Sequence, residues 1–244
     1  MSDKTSRFIS DRRGREEASW GGQADWEAGT IENVDVTTDG LVGRDPAQTG
    51  DVPASGTIAD FESGSLDSWP IGELSEISLT TDSFTGAYAA EGTAGGSSYI
   101  ISAVGDGLDY YPQRGQVFRG RINTSYDNRA RFYWCISDPA DHGSGFSIQA
   151  DTRSDYYRLI GYGDEHQVPG DAPPGEWLEF EIVWNHDDTI VGTWYDESGS
   201  ELISLSIEPT TSVPKTGGVG LYSSDSSTPG IPTRWDDIRI TGTV

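Results

Sequence analysis

This chain is nearly devoid of lysine. Lys4 and Lys215 are the only two, and all bases together number 16 against 40 Asp and Glu, a net charge of −24. A surface so poor in cations repels phosphate backbones, which argues against a nucleic-acid partner. It also repels itself, unless molar salt shrinks the reach of that repulsion to about 3 Å. Acid excess without lysine therefore points to a protein that must stay hydrated in very high salt. Cysteine is almost absent too. Cys135 alone excludes an intrachain disulfide and a cysteine-based zinc site, and within Arg131-Phe132-Tyr133-Trp134-Cys135-Ile136 it reads as a buried, inert thiol. No apolar run approaches the length that crosses a membrane, and the basic N-terminus lacks the apolar stretch of a secretory signal. No 3.6-residue periodicity persists long enough for a major helix, although Gly107–Tyr111 has room for one turn.

What is present falls into two parts. Residues 1–56 read as an irregular attachment segment. Its first 17 residues hold Lys4, Arg7, Arg12, Arg13 and Arg15 among acids, as an arm would. Trp20 and Trp26 follow in a weakly apolar, Gly-rich stretch and need a surface to bury them. Pro46 to Ser55 reads as a linker. Residues 57–244 then break into about thirteen short strands between turn signals such as Ser63-Gly64 and Glu197-Ser198-Gly199. Strand Trp177–Trp184 alternates cleanly: Leu178, Phe180, Ile182 and Trp184 face one way, Glu179, Glu181 and Val183 the other. The expected fold is all-β, a two-sheet antiparallel sandwich.

Two separated motifs sharpen this expectation. Asp60-Phe61-Glu62-Ser63-Gly64 opens the stretch and Arg234-Trp235-Asp236-Asp237-Ile238 closes it. Between them lie a Gly175-Glu176-Trp177 strand with its Trp194-Tyr195-Asp196 return, and Gly217-Gly218-Val219-Gly220-Leu221-Tyr222. Residues 57–244 resemble concanavalin-like, laminin-G-like and carbohydrate-binding jelly-roll domains. The resemblance implies that the first and last strands are neighbours. It also implies that Asp60, Glu62 and Asp236 share a structural calcium with backbone carbonyls of the Thr85-Gly86-Ala87 turn. The Trp20-Gly21-Gly22, Asn33-Val34-Asp35 and Asp39-Gly40-Leu41 arrangement resembles N-terminal segments of tail and appendage proteins of haloarchaeal viruses.

Catalytic patterns are weak. Glu176, Glu179 and Glu181 come closest to a glycosidase carboxylate pair, but their spacing does not match. His142, His166 and His186 form no ligand pattern, and no serine sits in a Gly-x-Ser-x-Gly elbow. A binding role is expected instead of an enzyme. Seven of the eleven bases after residue 17 fall between Arg114 and Arg158. If the strands carrying Arg119 and Arg121 and those carrying Arg129, Arg131 and Tyr133 are neighbours, one sheet face becomes an Arg/Tyr surface for an acidic glycan. Its expected residues are Arg119, Arg121, Arg131, Tyr133, Tyr157 and Arg158, the arginines binding anions and the rings stacking on sugars. The competing expectation is that the arginines pair with carboxylates across strands.

The reading as a whole is a virion component such as a tail fibre, baseplate protein or capsid turret. Residues 1–56 would dock on other virion proteins, and a trimer or pentamer would present the sandwich to host surface glycan or S-layer. A secreted or cell-surface carbohydrate-binding module of a halophile and a diverged glycoside hydrolase are the alternatives.

Overall fold

A computed structural model of the chain describes residues 34–37, 40–43, 54–72, 76–92, 97–124, 127–225 and 232–244. Two compact units are distinguished, Met1–Val52 and Pro53–Val244. In the first, β1 (Val34–Thr37) and β2 (Gly40–Gly43) form an antiparallel hairpin with Val36 opposite Leu41. The remainder of the expected attachment segment, with its basic arm, Trp20 and Trp26, lies outside the described residues.

The second unit is all-β. Its strands are β3 (Gly56–Ala59), β4 (Ile71–Gly72), β5 (Ile77–Thr80), β6 (Ala89–Gly92), β7 (Ser97–Ser102), β8 (Gln116–Asn123), β9 (Asn128–Ile136) and β10 (Phe146–Asp151). They continue as β11 (Tyr156–Gly161), β12 (Asp164–Pro169), β13 (Trp177–Trp184), β14 (Ile190–Tyr195), β15 (Glu201–Ile207), β16 (Gly218–Asp225) and β17 (Arg234–Thr243). Among the described residues no α-helix forms, and a single 3-10 turn spans His142–Ser144, where the Asp141 carboxylate accepts the Gly143 N–H. The helical turn expected at Gly107–Tyr111 does not form, because Gly107 sits at φ +113°, a left-handed value no right-handed helix contains.

Two antiparallel sheets build the jelly-roll sandwich. One has seven strands in the order β12-β11-β10-β9-β16-β7-β4. The other has eight, in the order β15-β14-β13-β8-β17-β6-β5 with β3 added against β17. First and last strands are neighbours as expected: Ala59 lies opposite Ile238 and Gly56 opposite Ile240. Strands β8 and β9 are consecutive in sequence but belong to different sheets. The chain crosses the sandwich between them, turning at Asp127, whose φ is +57°.

Alternation decides what lies between the sheets. From β8 and β13 come Phe118, Ile122, Leu178, Phe180, Ile182 and Trp184. From β9, β10 and β11 come Phe132, Trp134, Phe146, Ile148, Tyr157 and Leu159, all in one buried cluster. The rings touch in a chain: Phe132 stacks on Phe180 at 5.2 Å, Phe118 meets Trp134 edge-on at 5.4 Å, and Trp134 stacks on Phe146 at 5.4 Å. Gly120 makes the closest of these approaches possible, since a Cβ there would stand 2.5 Å from the Phe180 ring. Cys135 is buried beside this cluster, where burial pushes its thiol up to about 12 and keeps it protonated.

Each fully buried ring contributes transfer energy and a cavity cost when removed. Phe132→Ala is therefore expected to lower unfolding free energy by about 3–5 kcal/mol, read as a lower urea midpoint at unchanged slope. A loss below about 1 kcal/mol would contradict this packing.

Candidate functional site

The seven-stranded sheet turns its other side outward, and register builds a two-row surface there. One row runs Glu165, Ile160, Ser147, Tyr133, Gly220, Ile101, Ile71 across adjacent strands. The next runs Gln167, Arg158, Gln149, Arg131, Tyr222, Tyr99. Tyr133 stands between two small residues, Ser147 and Gly220, and is itself only 3% exposed, clustered with Ile101 and Ile136. A groove of about 460 Å³ opens here, lined by Arg131, Tyr133, Ser147, Ile160, Tyr162 and the Gly143–Gly145 loop among others. Ile101 and Tyr133 form a small second apolar cluster outside the main core, with Ile71, Tyr99 and Tyr222 packed on it.

Polar groups in the second row are linked. Arg131 donates from Nε to Gln149 Oε1 at 2.5 Å and from Nη1 to the Tyr133 hydroxyl at 2.7 Å. Its guanidinium also lies 5.2 Å from the Tyr222 ring centroid. Gln149 is buried, and its amide nitrogen donates to Asp151 Oδ2 at 3.1 Å. That carboxylate pairs with Arg129 at 2.8 Å, while its other oxygen accepts the Arg153 and Ser154 N–H groups. Burial pushes the Tyr133 hydroxyl up, against the opposing pull of Arg131, so it remains neutral. At the groove's far end Arg158 pairs with Glu165 at 3.1 Å and donates to Gln167.

The structure redistributes the residues expected to bind ligand. Arg131, Tyr133 and Arg158 share this face, but Arg119 and Arg121 do not. They lie on β8, in the other sheet, and point out of the opposite side of the sandwich. There Glu179 and Glu181 stand opposite Arg121 and Arg119 on β13. Arg119 pairs with both glutamates and Arg121 with Glu179 at 2.6 Å, while Arg121 also stacks 3.9 Å from the Phe84 ring centroid. Burial alone would lower the Arg119 guanidinium, but the hydrogen bond and charge of Glu181 raise it. On this face the competing expectation holds: the charges pair across strands. Tyr157 is also corrected. It is core, 2% exposed and 5.5 Å from the Trp194 ring, because alternation sends it inward when Arg158 points outward. The outward ring is Tyr156, 4.9 Å from the Arg158 guanidinium.

The calcium expectation meets opposite polarity. The turn after β5 faces the carboxylates with N–H groups instead of carbonyls. Asp236 Oδ2 accepts from Phe84 and Thr85 at 2.8 and 2.9 Å, and Glu62 accepts from Ala87 and Tyr88 at 2.8–3.0 Å. Asp60 Oδ1 accepts the Glu62 N–H. Donors aimed at these oxygens repel a cation, so Asp60, Glu62 and Asp236 do not fit the oxygen-only shell of calcium. Among the described residues no group of three or more His, Cys, Asp or Glu is placed to hold a metal. The carboxylates clamp the turn against β17. Burial pushes the Asp236 carboxyl up, while its three N–H partners pull the other way.

Sequence reasoning missed Gln149, Tyr222 and Tyr99. Tyr222 follows Leu221, a core residue, so its outward direction was legible; its place beside Arg131 depends on register between distant strands.

The clamp yields a graded expectation. Asp236→Ala removes a fully buried acceptor of three N–H groups and leaves the half-buried Phe84 and Asp237 donors short of a partner, a loss of about 1–3 kcal/mol, whereas exposed Glu62→Ala leaves donors that water satisfies and costs about 1 kcal/mol or less. Urea unfolding of both variants checks the order, and equal losses would contradict it.

No family model matches the chain, and no curated protein matches it. Similar folds exist among solved structures. A protein of unknown function from Shewanella oneidensis MR-1 has a TM-score of 0.51 at 14% identity, over 85% of this chain and 97% of that one. The VIP36 exoplasmic/lumenal domain in its Ca2+/Man3GlcNAc-bound form has a TM-score of 0.49 at 8% identity, over 74% and 90%. The metal-free lectin I-B4 of Griffonia simplicifolia has 0.46 at 12%, over 79% and 100%. The likeness is one of fold: the Pro53–Val244 unit is a two-sheet antiparallel jelly-roll sandwich.

Proposed function

We propose that this protein is a non-enzymatic carbohydrate-binding component of a virion from a halophilic archaeal virus. In this reading its sandwich holds a host surface glycan in the groove of the seven-stranded sheet. The observation that carries the binding role is the outward Arg131–Tyr133–Tyr222 group beside that groove, on a sheet face where apolar rings and hydrogen-bonding groups alternate. Pyranose rings have apolar faces and hydroxyl rims, and such a surface matches both. Two carboxylates at the groove are already engaged: Asp164 accepts the Glu165 and Glu208 N–H groups, and Glu165 pairs with Arg158. This favours holding a sugar over cleaving it.

The virion setting rests on the acid-rich, lysine-poor composition and on the likeness of the Trp20 to Leu41 stretch to haloarchaeal appendage proteins. Residues 1–56 would then join other virion proteins. Several copies on one particle would turn weak single sites into firm attachment.

Glycan binding in about 2 M salt, where screening leaves only contact forces, tests the binding role. Tyr222→Ala is expected to weaken binding by about tenfold, because the Arg131 guanidinium that lines the groove lies over that ring. Arg119→Ala, on the opposite face, is expected to leave it unchanged. Loss in Arg119→Ala with retention in Tyr222→Ala would overturn the assignment of the groove. Because Glu62 and Asp236 face N–H donors, EDTA is expected to leave binding unchanged.

A further inference from the structure

Arg131 differs from the other arginines of the sandwich with described ionic contacts. Arg114 pairs with Asp188, Arg119 with Glu179 and Glu181, Arg121 with Glu179, Arg129 with Asp151, Arg158 with Glu165, Arg234 with Asp82 and Glu91, and Arg239 with Asp237. Among the described residues Arg131 and Arg153 pair with no carboxylate, and of these two Arg131 is the one whose side chain lines the groove and is held by neutral acceptors. In a chain with 40 acids and 16 bases, chance proximity favours an acid beside every base. Here the cross-strand neighbour is a glutamine instead.

Gln149 also orients the cation. Its carbonyl takes the Arg131 Nε–H because its amide nitrogen is committed to Asp151. The Tyr133 hydroxyl takes one Nη1 proton. These two neutral acceptors fix the plane of the guanidinium without neutralising it, and a guanidinium has five N–H donors in all. The cation is half-buried, lines the groove and lies over Tyr222. The acids nearest this groove are engaged elsewhere: Asp141 caps the 3-10 turn through the Gly143 N–H, Asp164 holds two backbone N–H groups, and Glu165 holds Arg158.

We infer that the groove takes an anionic sugar, a uronic acid whose carboxylate completes the pairing of Arg131 while its ring lies against Ile160 and Tyr133 of the groove lining. The inference rests on the carbohydrate-binding reading and names the ligand class of that same site. The carboxylate plays the part that a protein acid plays for Arg119, Arg121 and Arg158. Planar anions suit a forked, pre-oriented donor better than a neutral hydroxyl does, and a charge-assisted hydrogen bond is roughly twice as strong as a neutral one.

The test is a glycan array of uronic-acid oligosaccharides, each beside its carboxyl-reduced counterpart, probed with the full chain in about 2 M salt. The wild type is expected to bind uronic members at least about tenfold more tightly than their reduced partners. Arg131→Gln, checked for an unchanged thermal transition, is expected to erase that difference while retaining weak binding to the reduced sugars. Should the variant fail to fold, the wild-type comparison between paired sugars still decides. Equal binding to both members of each pair, or binding to neutral sugars alone, overturns the uronate inference and leaves the carbohydrate reading standing. Absence of binding to any sugar on the array overturns both.

Discussion

The seam of aromatic rings between the two sheets is the constraint on which the rest depends. Phe132 on Phe180, Phe118 against Trp134 and Phe146 against Trp184 join strands of the two sheets. Each strand that contributes a ring commits every second residue to the interior. Its remaining residues must then point away, and the two sheets point them in opposite directions. Arg119 and Arg131 are twelve positions apart in the chain, yet they emerge on opposite sides because β8 and β9 lie across the seam from each other.

The two outward faces use similar residues for different ends. On the eight-stranded sheet the arginines and glutamates stand directly opposite, and the charges close on each other. Partly exposed pairs of this kind add little stability, about 0–1 kcal/mol each, and leave no cation for a ligand. On the seven-stranded sheet glutamine replaces glutamate at the position opposite Arg131, and the small residues Gly220 and Ser147 flank Tyr133. A one-atom chemical difference, amide for carboxylate, thus separates a self-satisfied ladder from a face whose Arg131 has no carboxylate partner among the described residues.

Much of the fold was legible from the sequence. The cleanly alternating strand Trp177–Trp184 stands where expected, and the distant Phe61 and Asp236 motifs did mark neighbouring strands. Strand β12 was not legible, because Asp164-Glu165-His166-Gln167 on a sheet edge carries almost no apolar signal. The site was legible only in part. Alternation alone could have removed Tyr157, since it and Arg158 cannot share a face. No local signal tells that β8 and β9 part company, or that Tyr222 comes to lie beside Arg131, since pairing between strands some 90 residues apart is set by the whole sandwich. The calcium expectation failed on peptide orientation: the 84–88 turn lies where it was placed, but offers its N–H groups.

The central claim is that one outward face binds and the other only holds itself together. Hydrogen exchange of the intact chain, with and without a bound oligosaccharide, tests it most directly. Slower exchange confined to β9, β10, β16 and the Gly143–Gly145 loop is the predicted result. Slower exchange confined to β8, β13 and β14 would place the ligand on the Arg119 face and contradict the account.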